Sequence, residues 1–371
     1  MNSPLLDLIR TRIRERGPLT VAAFMDLALY HPGFGYYTRS ARRSGASGDF
    51  VTSVDMGPLF GELLATQLAE MASLLGAPQS PFTLVEAGAG DGRLSHAMLR
   101  GLKKVAPHLC SHTHLHLVEK SAAAREAQRA VLTAWTGQAI GSDQLPDEFE
   151  GVIVANELLD AMPVHQVVMR ETGLIETYVD CDGERLVTRE GPLSSETLRS
   201  RLSSSGTPLA AGARAEISLA ASDWVRDAAK RMRRGFMLLI DYGDEAARLF
   251  GAGREAGTLT TYRRHHQGDA AGGPQWIDNP GEQDITAHVD FTGIRDAAAA
   301  QGCTSLGLMD QTYFLMALAG PRVESFDDAE RLAFKSLVLP GGLGSTMKVL
   351  VLAKNMGAPS LRCSSGPARL T

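Results

Sequence analysis

The chain has 371 residues, of which 44% are apolar, and a net charge of −5; this is enough for one large domain or two with separate cores. The charge balance argues against a general nucleic-acid-binding surface, and no apolar run approaches the roughly 20 residues that a membrane-spanning helix needs. The four cysteines lie far apart and form no Cys-x-x-Cys or Cys/His cluster, so we expect a reduced compartment and no metal site.

The N-terminal segment is predicted to be helical. Residues 4–30 contain two helical patterns, and Thr20 is the predicted N-cap of the second. Residues 31–53 are rich in Gly, Ser and aromatic residues without a period, which is typical of a long ordered loop or a mobile lid. A helix resumes at about residues 57–75.

The first residues also bear on localisation. They are Arg-rich, as a mitochondrial presequence is, but Asp7 and Glu15 favour the first helix of a soluble protein instead. We therefore expect a bacterial cytoplasmic protein, or one of the mitochondrial matrix if the source is eukaryotic.

From residue 82 the pattern becomes α/β, because apolar strands alternate with helical segments. The predicted strands are FTLVEAG, LHLVEK, GVIVANE and FMLLIDYG, followed near the C-terminus by TSLGLMDQ and MKVLVLAK. Such alternation predicts a parallel sheet that is covered by helices on both faces.

Two insertions interrupt the alternation and divide the chain into segments. The first insertion is predicted to be a β-meander and the second to be loop-like. The second carries His288 and Asp290, which could line a substrate cleft or brace the insertion. The predicted segments are N-terminal helices and lid loop (1–78), core (79–163, 221–243 and 294–356), β-meander insertion (164–220), loop-rich insertion and substrate cleft (244–293), and flexible tail (357–371).

A glycine-rich turn lies within FTLVEAGAGDGRL. Gly88, Gly90 and Gly92 stand between a predicted strand and a predicted helix, where glycines let the backbone turn tightly and let a ligand approach closely. The spacing is G-x-G-x-G rather than the G-x-G-x-x-G of dinucleotide-binding folds. Because a second strand with a terminal acid follows, we expect a cofactor site rather than an ordinary β–α turn.

Two carboxylates flank this turn. Glu86 ends the strand before the glycines, and Glu119 ends the next strand. At the position of Glu86 an NAD site would present a pyrophosphate, whereas a carboxylate suits a cationic ligand without phosphate. S-Adenosyl-L-methionine carries a sulfonium and an α-amino group, so Glu86 favours this cofactor, and Glu119 can accept hydrogen bonds from both ribose hydroxyls.

Over nearly its whole length, the chain resembles the MidA-like family of class I S-adenosyl-L-methionine-dependent methyltransferases. The strings ANE-xx-DA-xP-xHQ and DITAHVDF are specific to that resemblance, whereas the glycine loop alone would be weak. The sequence departs from the family at Val54-Asp55, where Pro-Glu is usual, and at Met347, where Phe is usual. The segments that carry the resemblance are GPLTVAAFMDLALYHPGFGYYT, SGDFVTS, LFGELLA, VEAGAGDGRL, VANELLDAMPVHQ, LLIDYG, DITAHVDF and LPGGLGSTMKVL.

The resemblance implies a Rossmann-like, seven-stranded, mostly parallel sheet with an N-terminal helical lid and β-rich insertions. It implies an enzyme that methylates an arginine side chain of a protein, and a respiratory complex I subunit as the partner of mitochondrial members. It also makes Asp49, in SGDF, part of the cofactor or substrate edge, although a plain turn explains Gly48-Asp49 equally well.

The stretch VIVANELLDAMPVHQ carries the candidate catalytic residues Asn156, Glu157 and Asp160. A guanidinium stays protonated at neutral pH, so an arginine methyltransferase should present carboxylates that hold it and stabilise the developing charge. If the chain turns helically here, Glu157 and Asp160 face one way. The alternative is a helix start capped by Asn156, which the early Pro163 disfavours.

Two other functions compete with this prediction. One is a non-catalytic assembly or interaction protein that still binds S-adenosyl-L-methionine. The other is an NAD-dependent oxidoreductase, which the glycine spacing and Glu86 disfavour. The sequence does not name the methylated protein and leaves the oligomeric state open, with a dimer as one option.

Overall fold

The structure is a computed structural model that describes residues 3–38, 52–76, 81–251, 255–263, 266–267, 274–340 and 342–364. The described residues form two compact units. The first unit draws them from Met1–Phe50, Leu159–Val225 and Gly243–Ala297, and the second unit from Val51–Leu158, Arg226–Tyr242 and Ala298–Thr371.

The strands are numbered in chain order. They are β1 (Leu19–Thr20), β2 (Phe82–Ala87), β3 (Thr113–Val118), β4 (Ala139–Ser142), β5 (Phe149–Asn156), β6 (His165–Arg170), β7 (Gly173–Asp182), β8 (Arg185–Gly191), β9 (Arg214–Ile217), β10 (Met232–Asp244), β11 (Thr260–Arg263), β12 (His266–Gln267), β13 (Asp284–Thr286), β14 (Val289–Asp290), β15 (Cys303–Asp310) and β16 (Met347–Lys354).

The α-helices are numbered likewise. They are α1 (Pro4–Arg16), α2 (Val21–Tyr30), α3 (Leu59–Leu74), α4 (Arg93–Val105), α5 (Pro107–Ser111), α6 (Ala122–Val131), α7 (Glu196–Ser204), α8 (Leu219–Arg231), α9 (Ala246–Leu249), α10 (Phe291–Ala299), α11 (Gln311–Ala319), α12 (Asp328–Val338) and α13 (Leu343–Thr346). The predicted N-cap of α2 is confirmed, because the Thr20 hydroxyl accepts a hydrogen bond from the Ala23 N–H at 3.1 Å. Within the described residues, no helix combines the length and apolar character that crossing a membrane requires.

The second unit is built on a mixed sheet with the strand order β15-β16-β10-β5-β2-β3-β4. The five strands β10, β5, β2, β3 and β4 run parallel, as the alternation of strands and helices predicts. β16 is antiparallel to both of its neighbours, so the predicted closing pair β15–β16 is confirmed. β14 pairs with Gly243 and Asp244 at the end of β10. The sheet therefore has eight strands rather than the seven that the resemblance implies.

Helices α3 and α4 pack closely in the second unit because each has a glycine at the contact. A Cβ atom on Gly61 would lie 2.5 Å from the Cβ of Ala97, and one on Gly101 would lie 2.6 Å from the Cβ of Ala65 and 2.8 Å from the Cα of Glu62. Real Cβ contacts do not come this near, so both positions require glycine at this helix separation. The packing fixes α4, whose first residue directly follows the glycine-rich turn.

The first unit contains two antiparallel sheets. β6, β7 and β8 form the predicted meander; β9 pairs with β6, and the short β1 pairs with β7. β12, β11 and β13 form a three-stranded sheet. The hydrophobic core of the first unit includes Leu5, Ile9 and Phe24, which come from α1 and α2. The N-terminal helices therefore contribute directly to the core of this unit.

Two sequence-based expectations are corrected here. The segment 244–293, predicted to be loop-like, contains α9 and the strands β11 to β14, which are two to four residues long and too short to show a periodic pattern. The tail predicted to be flexible over 357–371 is anchored in part, because Leu361 and Cys363 are buried in the core of the second unit. The Cys363 N–H donates to Gln67 Oε1 at 3.2 Å. The other predicted segment boundaries stay predictions.

We expect Gly101→Ala to lower the free energy of unfolding by about 1–3 kcal/mol, because the added methyl forces α3 and α4 apart. Alanine is otherwise preferred over glycine in a helix by about 1 kcal/mol. Gly33→Ala is the control, since a Cβ there meets nothing within 4 Å. Chemical denaturation measures both variants; a Gly101→Ala protein as stable as the wild type would show that the helix contact adapts freely.

Candidate active site

The candidate site lies where four neighbouring parallel strands of the second unit end, in the order β10-β5-β2-β3. Asn156 is paired with Ile240 of β10, and Ala87 of β2 is paired with Ala155 and Val118. The residues that end or follow these strands therefore form one row at the carboxyl edge of the sheet, where open α/β folds bind ligands. The row brings together Glu86, the glycine-rich turn, Glu119, Asn156, Glu157 and Asp241.

The glycine-rich turn has the backbone that its sequence predicts. Gly88, Gly90 and Gly92 have φ angles of 71°, 51° and 85°, a region that side chains with a Cβ rarely adopt. A Cβ on Gly88 would meet Leu158 Cδ1 at 3.0 Å, whereas one on Gly90 would find no atom within 4 Å. The turn is thus packed at its first glycine and open at its second, where a ligand can approach the backbone.

The turn is held from both sides. The Gly88 N–H donates to the Val118 carbonyl at 2.9 Å. The Gly90 N–H donates to Glu119 Oε2 at 2.9 Å, and the Gly90 carbonyl accepts from Gln128 Nε2 at 2.9 Å. The open glycine therefore has a fixed peptide orientation on each side.

Glu119, the predicted ribose-binding carboxylate, is half-buried after β3. Its Oε1 accepts a hydrogen bond from the Ser121 N–H at 2.8 Å, while its Oε2 accepts from Gly90. A carboxylate has about four lone-pair positions, so two neighbouring hydroxyls of a ligand could still donate to it.

Glu86 is buried, with 3% of its surface exposed. The Ser95 hydroxyl of α4 donates to its carboxylate. Burial raises the pKa of Glu86 to about 8, and the Ser95 hydrogen bonds oppose that rise only in part. A cation bound beside this group would favour its ionised form.

Glu157 follows β5 with a φ of 52°, which is unusual for a residue with a side chain. Its N–H donates to the Ile240 carbonyl at 2.9 Å, so its backbone is tied to β10. No helix begins among residues 157–163. The helix-start alternative is therefore wrong, and so is the premise that a helical turn aligns Glu157 with Asp160. Strained backbone of this kind is often found at functional sites.

The Glu157 carboxylate is partly buried and has two donors. Its Oε1 accepts from the Ser53 N–H at 3.2 Å and from Asn156 Nδ2 at 3.1 Å. Burial, with smaller contributions from the neighbouring Asp241 and Asp55, raises the pKa of Glu157 to about 8, although the hydrogen bonds from Ser53 and Asn156 oppose the rise. Glu157 is therefore poised to ionise when positive charge arrives.

Asn156 and Asp241 complete this part of the site. Asn156 donates through Nδ2, but its buried Oδ1 has no hydrogen-bond partner among the described residues. Asp241 is 1% exposed, and its Oδ2 accepts from the Leu158 N–H at 3.1 Å. A group that contains an orphaned acceptor and two carboxylates suits a ligand with several N–H donors.

An ion network joins the start of α4 to the short 3-10 turn Ser53–Met56. Arg93 NH1 lies 2.8 Å from Asp55 Oδ1, and Arg93 Nε lies 3.0 Å from Asp91 Oδ2. Asp55 Oδ2 also accepts from the Thr52 N–H at 3.0 Å. Asp55, one of the positions that depart from the family pattern, therefore holds this turn in place.

The remaining predicted site residues are Asp160 and Asp49. Asp160 belongs to the first unit, where it is 8% exposed; its backbone carbonyl accepts from the Ala287 N–H at 3.0 Å. Its carboxylate is among the groups that raise the pKa of Tyr37, after burial and Asp284. Asp49 lies outside the described residues.

Sequence reasoning missed four residues that contact the site: Ser53, Ser95, Gln128 and Gln311. Ser53 reaches Glu157 across 104 positions of sequence, and Gln128 reaches Gly90 across 38. Ser53 ends the SGDFVTS segment, which carries the resemblance without giving this serine a role, and Gln128 belongs to no motif; single polar residues of these types are common on surfaces. Only their contacts in the tertiary structure show that these residues belong to the site.

The chain matches, over residues 63–309, the family described as S-adenosyl-L-methionine-dependent methyltransferase. It is 29% identical over 384 residues to the mitochondrial protein arginine methyltransferase NDUFAF7 homolog of Drosophila melanogaster, covering 93% of this chain and 83% of that protein. The mitochondrial protein arginine methyltransferase NDUFAF7 of Danio rerio is 28% identical, with 85% of this chain and 76% of that protein covered.

Solved structures agree in fold. A crystal structure from Burkholderia thailandensis, bound to S-adenosyl-homocysteine, has a TM-score of 0.88 and 28% identity, with 100% of this chain and 98% of that chain covered. A native crystal structure from the same organism has a TM-score of 0.86 at the same identity. The fold is thus that of S-adenosyl-L-methionine-dependent methyltransferases, with a mixed sheet of many strands.

Glu157 should make the protein less stable as pH rises. The unfolded chain has the ordinary carboxyl pKa of 4.5 and the folded chain one of about 8, so between these values the folded state holds a proton that the unfolded state has released. The free energy of unfolding then falls from about pH 4.5 to pH 8 and levels above it. Glu157→Gln removes the contribution of Glu157 to this slope and leaves that of Glu86. Between pH 5 and pH 8 the variant should therefore gain roughly 1–3 kcal/mol of stability relative to the wild type.

Denaturant titrations across this pH range measure the effect. Glu126→Gln, which alters an exposed carboxylate of α6, controls for the change of net charge. Parallel pH profiles for the wild type and Glu157→Gln would contradict the prediction.

Proposed function

The chain belongs to the MidA-like family of S-adenosyl-L-methionine-dependent methyltransferases, and on this premise we propose that it methylates an arginine side chain of a protein. The observation that carries the proposal is the group formed by Glu157, Asn156 and Asp241, at the same sheet edge as the glycine-rich turn. Two carboxylates and an orphaned amide oxygen match the charge and the N–H donors of a guanidinium.

The residues around the turn fit the family's cofactor. Gly90 leaves open space where any other residue would place a Cβ, and we propose that the nucleoside lies against it. We propose that Glu119 accepts hydrogen bonds from the ribose hydroxyls with its remaining lone pairs. When bound, S-adenosyl-L-methionine supplies a methyl group that its sulfonium has already activated for in-line transfer.

Glu86 supplies charge complementarity on the cofactor side. It is a buried carboxylate with a pKa near 8, and a phosphate group beside it would be repelled, whereas a cation would stabilise its ionised form. We propose that Glu86 favours the positively charged methionine portion of the cofactor. This is also the physical reason for preferring this cofactor to NAD.

Glu157 acts on the acceptor side in this proposal. The arriving guanidinium keeps its proton at neutral pH, with a pKa above about 12, and its charge would lower the pKa of Glu157 and ionise it. The carboxylate then orients the plane of the guanidinium, stabilises the positive charge that grows there during methyl transfer, and can accept the proton that the methylated nitrogen releases. Asn156 Oδ1 accepts one of the N–H groups and so gains the partner that it lacks.

Asp160 and Asp49 stay predictions as further site residues, and so does the role of the N-terminal segment as a lid. If Asp160 contacts the acceptor, Asp160→Asn should weaken methyl transfer even when Glu157 is unchanged.

The proposed partner and compartment come from the named relatives and from the sequence resemblance. The curated relatives are named as mitochondrial arginine methyltransferases, which supports a protein acceptor. A respiratory complex I subunit is the acceptor that the sequence resemblance suggests, with the matrix or a bacterial cytoplasm as the compartment. Mass spectrometry of methylated proteins in a deletion strain and its parent would identify the acceptor.

Glu157→Gln should bind S-adenosyl-homocysteine with wild-type affinity but transfer methyl groups about 100-fold more slowly, because it removes a charge used only on the acceptor side. Calorimetry measures the binding. Incubation of each variant with tritium-labelled S-adenosyl-L-methionine and lysate of the deletion strain measures the transfer, with Glu126→Gln as control. Cofactor binding without transfer by the wild type would instead support a non-catalytic assembly protein, and full activity of Glu157→Gln would exclude its assigned role.

Gly90→Val should reduce the affinity for S-adenosyl-homocysteine at least about 100-fold, because its side chain would fill the space beside the turn. Gly137→Val is a matched control: Gly137 also has a positive φ, of 90°, and open space around it, but it lies before β4. Both changes strain the backbone, so only loss of binding specific to Gly90→Val supports the cofactor site. Equal binding by both variants would move the site elsewhere.

A further inference from the structure

Ser53 is buried completely in the second unit although it is small and polar. Its backbone N–H donates to Glu157 Oε1 at 3.2 Å, and its hydroxyl donates to Gln311 Oε1 at 3.1 Å. Ser53 thus links Glu157 to a residue that lies 258 positions away in the sequence.

Gln311 is also fully buried, at the first position of α11. Its Nε2 donates to the Leu337 carbonyl at 3.0 Å, close to the end of α12. The amide oxygen and the amide nitrogen of Gln311 therefore have one partner each. If the two were exchanged, the oxygen would face the Leu337 carbonyl, and two acceptors would lie against each other without a hydrogen. The orientation that accepts from Ser53 is the one that satisfies Leu337.

The turn that carries Ser53 is fixed at its other end as well. Thr52 and Asp55 form a capping box, and Asp55 is paired with Arg93 at the start of α4. The Ser53 N–H is consequently presented to Glu157 by a backbone that is held at both ends. Pre-organised donors of this kind cost nothing to reorient during a reaction.

We propose that Ser53 and Gln311 are positioning residues for the acceptor side of the active site: Gln311 fixes Ser53, and the backbone N–H of Ser53 fixes the carboxylate of Glu157. This inference rests on the proposed function, in which Glu157 orients the guanidinium. Gln311 touches no reacting group itself and acts through Ser53. A misplacement of about 1 Å in such a carboxylate can cost on the order of 100-fold in rate.

Ser53→Ala removes the hydroxyl but leaves the N–H, so the turn loses its tie to Gln311. Gln311→Met removes the same tie with a side chain of similar shape. We expect each variant to transfer methyl groups about tenfold more slowly while binding S-adenosyl-homocysteine as the wild type does. Because the two residues act in line, the double variant should be no slower than the slower single variant.

The pH profile separates positioning from general stability. The charged groups that face Glu157 are Asp241 and Asp55, with Arg93 paired to Asp55, and all of them remain in both variants. The Ser53 hydrogen bond lowers the pKa of Glu157, so loosening it should move the rising limb of the transfer rate to higher pH. A change that only unfolds part of the protein lowers the rate without moving that limb.

Thr312→Val is the matched control. The Thr312 hydroxyl donates to the Val338 carbonyl at 2.6 Å, so the variant removes the neighbouring tie between α11 and the end of α12 but leaves Ser53 and Gln311 intact. The transfer rate of Thr312→Val should rise over the same pH range as that of the wild type.

The assays use tritium-labelled S-adenosyl-L-methionine with lysate of the deletion strain, and calorimetry with S-adenosyl-homocysteine. A slower rate with a shifted limb in Ser53→Ala or Gln311→Met, but not in Thr312→Val, supports the inference. Wild-type rates in both variants, or slower rates with an unmoved limb, overturn it. Absence of transfer by the wild type would contradict the proposed function instead.

Discussion

The structure of the second unit depends on the parallel pairing of β5 between β2 and β10. All three strands are buried along most of their length, so polar side chains have a place only where the strands end. Parallel register makes these ends coincide. The acids that each strand carries at its carboxyl end are therefore forced into one row, and the cofactor and acceptor sides of the candidate site become neighbours on the same sheet edge.

Placing several carboxylates in one buried row disfavours their charged forms, and the surrounding hydrogen bonds compensate for this only in part. Glu86 and Glu157 both have pKa values near 8 because burial disfavours their charged forms. The polar bonds from Ser95, Ser53 and Asn156 offset this only in part. A site with two such carboxylates favours cations over phosphates, and both the sulfonium cofactor and the proposed guanidinium acceptor would bring positive charge to it.

Rigidity around the row comes from contacts that are distant in sequence. The open Gly90 peptide is held by Glu119 on one side and by Gln128 on the other. Glu157 is held through Ser53 by the amide of Gln311. Apart from the hydrogen bond between the Ser53 and Gln311 side chains, each tie pairs a main-chain group with a buried or half-buried side chain. The site is therefore shaped before a ligand binds, and ordering it costs little of the binding free energy.

The sequence by itself determined the parallel strands, the glycine turn and most acids of the row, because strand periodicity, glycine spacing and strand-end carboxylates are local signals. Only the tertiary structure decided the rest. It assigned Asp160 to the first unit and Glu157 to the second. It also took the chain out of β5 through a left-handed residue rather than a helix, and it brought Ser53 and Gln311 to Glu157. It also anchored Leu361 and Cys363 in the core. These outcomes depend on long-range burial and hydrogen bonding, for which residues so far apart leave no pattern in the sequence.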